Sequence, residues 1–313
     1  MRTAPIRLAS VVVARGRPAR TNANAVAMRA LGVDATTPKK LGYVDTHTHL
    51  NLVLPKLEMT LEHYMSTADA TCADSIATLD ACVSVGCSAR SLEPTAAIVA
   101  ARENVFGAYG IHPLSAEEWF DDETRRRVRE LLSSKRCVAV GETGLDYHRL
   151  SEDEREVEEM KKTQRAAFAE QMKLAGELDL PLVVHTREAE EDTLELMKTY
   201  LKREHKVHVH CFTSSAHLAR ELLDAFPNLC LGFTGVATFK NGDDVRGVIE
   251  TVDLDRILLE TDAPYMAPTP FRGQTCHPAM IPKIAEAIAR VKNVDVSTVF
   301  ETTRENTRRV YGI

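Results

Sequence analysis

Val44-Asp45-Thr46-His47-Thr48-His49-Leu50 places two imidazoles one residue apart, shortly after a hydrophobic residue. If the segment is extended, alternate side chains share a face, so Asp45, His47 and His49 point the same way and the two imidazoles can meet one cation. A polar strand end with two ordinary histidines would look the same. The rest of the chain decides between these readings.

Outward from that stretch, short apolar, β-branched runs alternate with helical patterns. Eight strands are predicted: Tyr43 to His47, Ala81 to Cys87, Val105 to His112, Cys137 to Glu142, Leu182 to His185, Val207 to His210, Leu229 to Phe233 and Arg256 to Asp262. Between them, Ser115-Ala-Glu-Glu118 and Ser151-Glu-Asp-Glu154 read as capping boxes, and Pro94 is expected in the first turn of a helix after Ser91. Within Glu156 to Leu178, the residues Met160, Ala167, Phe168, Met172, Leu174, Ala175 and Leu178 suit a helix with one buried face.

Eight such units predict an α/β protein, a single-domain (β/α)8 TIM-type barrel over residues 41–313. A doubly wound sheet would show the same alternation. The polar residues separate the two. His47, His112, Glu142, His185, His210 and Asp262 each fall at or just past the carboxyl end of a different predicted strand, where barrels build sites. A doubly wound sheet gathers its chemistry at one or two switch points.

The 313 residues are 44% hydrophobic and 27% charged, with a net charge of -6 and no apolar run of membrane-spanning length. That composition argues against a membrane protein and against a basic, nonspecific nucleic-acid coat. Seven cysteines (Cys72, Cys82, Cys87, Cys137, Cys211, Cys230, Cys276) form no Cys-x-x-Cys and sit mostly in apolar runs, as reduced packing residues of an intracellular protein would. Residues 1–40 read as a leader: six arginines precede the first acid, Asp34, as in a mitochondrial transit peptide. A cytoplasmic or mitochondrial protein is expected. Phosphate-loop, dinucleotide and serine-hydrolase motifs are all missing from the sequence.

His47, His49 and Asp262 can hold one cation, His185 and His210 a second, and Glu142 can bridge both through its two oxygens. Two divalent metals suit an in-line displacement at phosphorus, with Asp262 as general base. Imidazole and carboxylate donors suit Zn, Mn or Fe, whereas Mg prefers oxygen. Around this set, Arg187 offers a forked donor to phosphate. His112 is placed to bind phosphate or orient a ligand, and Asp146 to orient a histidine. Glu260 shares the strand parity of Asp262 and is expected in the barrel interior. Lys240 and Arg272, in loops after the seventh and eighth strands, are expected to grip phosphates.

Asp-Thr-His-Thr-His (45–49), Gly-Ile-His-Pro (110–113), Gly-Glu-Thr-Gly-Leu-Asp (141–146), Pro-Leu-Val-Val-His-Thr-Arg (181–187), His-Cys-Phe-Thr (210–213) and Glu-Thr-Asp-Ala-Pro-Tyr (260–265) together resemble, in order and spacing, the TatD family of metal-dependent deoxyribonucleases. These belong to the amidohydrolase-like barrels. The resemblance implies that His47, His49, Glu142, His185, His210 and Asp262 are metal positions. It implies a Mg-stimulated DNase, often exonucleolytic on single strands, so the expected substrate is DNA with single-stranded or 3′ ends preferred. Two divalent ions are expected, Mg for activity with Mn, Co or Zn as alternatives, in a monomer. Two departures stand out: Gln274-Thr-Cys-His-Pro278 replaces an Asn-glutamate-Pro-like segment, and Ser214 replaces a common Gly. Both are expected in loops that contact nucleic acid. The rival readings are a D-aminoacyl-tRNA deacylase on the same site and a nonenzymatic nucleic-acid or metal-binding protein. A cyclic-amide hydrolase is disfavoured because Glu142 stands where many of those enzymes carry a bridging lysine.

Overall fold

Eight parallel strands pair in sequence order: β1 (Leu41–Thr48), β2 (Ala77–Gly86), β3 (Val105–Tyr109), β4 (Cys137–Asp146), β5 (Leu182–Arg187), β6 (Val207–Val209), β7 (Leu229–Phe233) and β8 (Ile257–Leu259). This computed structural model describes residues 40–148, 150–151 and 153–313. Apart from Lys40, the predicted leader lies outside the described residues.

The ring closes just beyond β8. Thr48 bridges to Ala263 in parallel, the His49 N–H donates to the Ala263 carbonyl at 2.8 Å, and the Asp262 N–H donates to the His47 carbonyl at 2.9 Å. Asp45 fastens the same seam, its carboxylate accepting from the Thr261 N–H at 3.0 Å and the Thr261 hydroxyl at 2.5 Å. The barrel predicted from strand alternation is therefore the observed fold. Asp45, however, does not face a cation with its two histidine neighbours; it ties the first strand to the last.

The helices are α1 (Leu50–Lys56), α2 (Leu61–Thr67), α3 (Ala89–Ala101), α4 (Asp122–Leu132), α5 (Glu154–Leu178), α6 (Glu190–Tyr200), α7 (Ala216–Ala225), α8 (Asp243–Thr251), α9 (Ile281–Lys292) and α10 (Val296–Tyr311). Strand alternation sorts the core. Leu182, Val184, Val207, Val209, Ile257 and Leu259 pack outward with Phe168 and Met172 of α5 and Ile284 and Ile288 of α9. Val183, Cys230 and Leu258, of the opposite parity, pack with Val310 and Tyr311 at the end of α10. Phe168 is fully buried, so Phe168→Ala would cost about 3–5 kcal/mol through lost burial and the cavity left behind.

Local boundaries differ from the sequence reading in instructive ways. Ser115 has non-helical backbone angles, and Pro113–Phe120 is a 3-10 segment capped by His112, whose Nδ1 accepts from the Leu114 N–H at 3.0 Å. The helix after 151 is capped by Asp153, which accepts from the Arg155 N–H, rather than by Ser151. In α3 the cap is Ser88 with Ser91 as its reciprocal partner, and Pro94 lies within the helix rather than in its first turn. Met160 and Leu178 are exposed, while Gln164 and Gln171 are buried because their amides bridge backbone groups of Asp146 and Ile111. A buried polar side chain with complete hydrogen bonding follows no hydrophobic pattern.

Candidate metal centre

Parity carries the chemistry from core to mouth. Two residues beyond the buried Val183 lies His185, and two beyond Leu258 lies Glu260. Inward positions thus turn from apolar to ionisable toward the carboxyl ends of the strands. Gly144 lets β4 approach β5: its φ is +147°, and a Cβ there would fall 1.9 Å from the His185 carbonyl oxygen.

Glu142 sits at the centre. Its Oε1 lies 2.7 Å from His210 Nε2, 2.9 Å from His185 Nδ1 and 3.3 Å from His112 Nε2. Its Oε2 lies 3.4 Å from His47 Nε2 and 3.9 Å from His49 Nε2. Asp262 Oδ1 is 3.4 Å from His49 Nε2 and 3.7 Å from His47 Nε2. The Asp262 backbone adopts a left-handed conformation (φ 51°). The structure therefore gathers His47, His49, Glu142, His185, His210 and Asp262 into one cluster, whose overlapping donor groups include His47, His49 and Glu142, then Glu142, His185 and His210, and deeper in the barrel His47, His210 and Glu260.

Neighbours fix how these donors point. The His49 Nδ1–H donates to the Val85 carbonyl at 3.3 Å, which leaves Nε2 for the cluster. Asp146 Oδ2 lies 3.1 Å from His185 Nε2, which leaves Nδ1 facing Glu142. Anchoring one ring nitrogen so that the other faces a cation is the usual support for a metal-binding histidine. His112 and His185 also form a third group with Asp146. Glu260 lies in the barrel interior, accepting from the Cys211 N–H and facing His208 Nε2 at 3.1 Å.

A cation fits this donor chemistry. His47 is fully buried, and neither of its ring nitrogens makes a hydrogen bond among the described residues, Nε2 only facing the carboxylates of Glu142 and Asp262; His210 Nδ1 is likewise buried without a hydrogen bond. Burying such groups unsatisfied is costly. Burial pushes the His47 pKa down to about 3, helped by the charge of His210, so the ring is neutral and available as a donor. Burial opposes ionisation of Glu142, but His210, His112 and His185 hold it well below the usual carboxylate range. Asp262 behaves alike: burial acts against its charge, and His49, His47 and His210 keep its pKa lowered.

Above the cluster opens a cleft of about 800 Å³ whose lining includes Arg90, His112, Asp146, Arg187 and Tyr265. Arg187 thus stands at the cleft. Lys240 and Arg272 do not line it. Lys240 is exposed elsewhere, and the Arg272 guanidinium stacks over Phe239, 3.7 Å from the ring centroid, while donating to the Ala267 carbonyl. The two departures also lie away from the lining, and His277 is buried rather than displayed. Cys87 is half-buried and lines the cleft, and Cys211 is half-buried beside Glu260, unlike the five buried cysteines; all seven are free thiols. Arg90 was missed, although it follows the end of the second predicted strand, where the strand-end rule points. Tyr265 was noticed only as part of a motif.

The fold and this donor set define a metal-dependent hydrolase built at the mouth of a barrel. Residues 44–312 match the family described as TatD related DNase. The chain belongs to the TatD family. It is 34% identical over 276 residues to the metal-dependent hydrolase YcfH of Escherichia coli K12, a match covering 86% of this chain and 96% of that protein. It is also 34% identical over 279 residues to the human 3'-5' RNA nuclease TATDN2; that match covers 87% of this chain but spans only 35% of the human protein. Among solved structures, YJJV, a TatD homologue from Escherichia coli K12, superimposes with a TM-score of 0.74 at 23% identity, covering 87% of this chain and 98% of that one. A TatD family hydrolase from Entamoeba histolytica gives a TM-score of 0.73 at 18% identity, with 87% and 98% covered. These two structures share the fold. Among the described residues, no helix is long and apolar enough to cross a membrane.

Proposed function

We propose that the chain hydrolyses phosphodiester bonds of nucleic acid, as a DNase working from 3′ ends, with two divalent ions held by the donor cluster. The observation that carries this reading is the bridging position of Glu142 between the two donor groups. His47, His49 and Asp262 would hold one ion, and His185 and His210 the other, with Mg as the activating ion and Mn, Co or Zn as alternatives. When bound, such ions supply Lewis acidity that lowers the pKa of water and offsets charge developing on a phosphate.

The chain's own groups complete the work. Asp262, held ionised, accepts the proton of the attacking water. Asp146 keeps His185 in the orientation that points Nδ1 inward. His112 presents Nε2 to the cleft beside Glu142. Arg187 and Arg90, both exposed on the cleft lining, offer forked donors to phosphate oxygens.

RNA is a second reading, favoured by the name of the human relative, a 3'-5' RNA nuclease. A time course on end-labelled single- and double-stranded DNA, RNA and D-aminoacyl-tRNA, with Mg, Mn, Co and Zn in turn, tests both. Stepwise shortening from DNA 3′ ends, abolished by EDTA, is the expected result. Faster shortening of RNA moves the substrate, internal fragments remove the end preference, and deacylation without strand cleavage overturns phosphodiester chemistry. Retarded but intact DNA would identify a binder.

A further inference from the structure

Three of the large hydrophobic side chains exposed on this protein stand around the polar cleft: Leu52 (39% exposed), Leu114 (53%) and Tyr265 (50%). They follow three separate strands: Leu52 in α1 after β1, Leu114 in the 3-10 segment after β3, and Tyr265 in the loop after β8. An apolar lip around a floor of charged donors needs a ligand with both characters: a flat apolar face joined to an anion. The -6 net charge of the chain and the two guanidiniums on the lining make the anion's place local.

Tyr265 is the aromatic member of the lip. Its N–H donates to the Asp262 carbonyl at 3.1 Å, and the Asp262 N–H is in turn tied to His47. One turn of chain therefore carries both a donor of the metal centre and the exposed ring. Lys56 Nζ lies 5.7 Å from the ring centroid, and Arg90 lines the same cleft. An aromatic ring flanked by cations and fixed to the reacting centre is the arrangement that stacks a base while its phosphate is held.

We propose that Tyr265, with Leu114 and Leu52 facing the same cleft, seats the nucleobase next to the phosphodiester that is cut. The assignment rests on the nucleic-acid reading above and names what that site requires: an unpaired base. In a duplex both faces of the base are already stacked, so only a single strand or a frayed end fills the seat.

The test compares an oligodeoxynucleotide with the same strand carrying abasic sugars at its end, using the full chain loaded with Mg or Mn. Tyr265→Ala is expected to lower kcat/KM on the normal strand by about 5- to 150-fold, chiefly through KM. On the abasic strand the wild type is already slowed, and the same substitution adds no more than about twofold, because ring and base act as a pair. Tyr265→Phe recovers most of the loss, and Leu114→Ala reproduces part of it. In EDTA, without turnover, a strand ending in 2-aminopurine is quenched on binding to the wild type and much less by Tyr265→Ala. Equal losses on both strands, or none on either, overturn the base seat while leaving the nuclease reading in place. Quenching by a wild type that cleaves no strand overturns the nuclease reading and leaves the seat standing.

Discussion

His47 and His277 are both buried histidines, yet they live in opposite kinds of surroundings. Neither ring nitrogen of His47 makes a hydrogen bond among the described residues, Nε2 faces the Glu142 carboxylate at 3.4 Å, and the ring is stacked on His210 with centroids 4.0 Å apart. His277 Nδ1 lies 3.2 Å from the Tyr64 hydroxyl. The Ala279 N–H donates to that same hydroxyl at 3.2 Å, which leaves the phenol O–H to donate to the neutral imidazole. The pair belongs to the side of the core formed by α1, α2 and residues near 276–280. One neighbourhood is complete in the protein alone; the other keeps donors that could hold a cation. Burial by itself does not mark a functional histidine, whereas burial with unmet nitrogens and converging carboxylates does.

The strongest attempt to break this contrast is Glu142→Ala. Turnover is expected to fall by about 10³-fold or more, because the bridge between the donor groups is lost. Bound metal, measured by mass spectrometry after gel filtration, should fall with it, while circular dichroism and the unfolding midpoint stay close to wild type. Retention of both metal and turnover would remove Glu142 from the centre. A smaller change is expected for Asp146→Asn, which weakens the orientation of His185: metal affinity or activity drops by roughly 10- to 100-fold, read by metal titration against a competing chelator.

On the other side of the comparison, Tyr64→Phe leaves His277 Nδ1 and the Ala279 N–H without their shared partner. A loss of about 1–3 kcal/mol in denaturant unfolding is expected with turnover unchanged. A large loss of activity at equal stability would make the pair part of the site. The smallest effect is a pH dependence. Burial lowers the His277 pKa from its ordinary 6.5 to about 4, so the unfolded chain binds the extra proton between those values. The stabilisation from keeping it neutral is therefore full above pH 6.5 and is lost as the pH falls toward 4. His277→Asn keeps an acceptor for Tyr64 without titrating, and should lose about 1–2 kcal/mol less than wild type between pH 7 and 5. Parallel losses in the two proteins would reject the assignment.

The difference between the two neighbourhoods also explains what could be read from the sequence. His47, Glu142, His185 and His210 were legible because strand parity and the carboxyl-end rule both act locally, and eight repeats of the same alternation reinforce one another. His277 was misplaced in a substrate loop because its partner, Tyr64, lies 213 residues away. Lys240 and Arg272 were proposed as phosphate contacts from loop position alone, which says nothing about where a side chain is spent: Arg272 packs on Phe239. Asp45 has the right parity for a ligand, but Thr261, 216 residues away, captures it. Local period reached the donors, and long-range pairing decided the rest.

The seam between β1 and the end of β8 carries a consequence for biosynthesis. His47 and His49 leave the ribosome early, while Asp262, which meets them through the closing hydrogen bonds, leaves it late. A nascent chain that has made only the first seven strands has no Asp262 beside those histidines and no lock between Asp45 and Thr261 to hold their strand in place. The segment that follows β8 thus serves as an arming pin. A centre that draws on Asp262, as proposed above, is assembled only by the docking event that closes the ring.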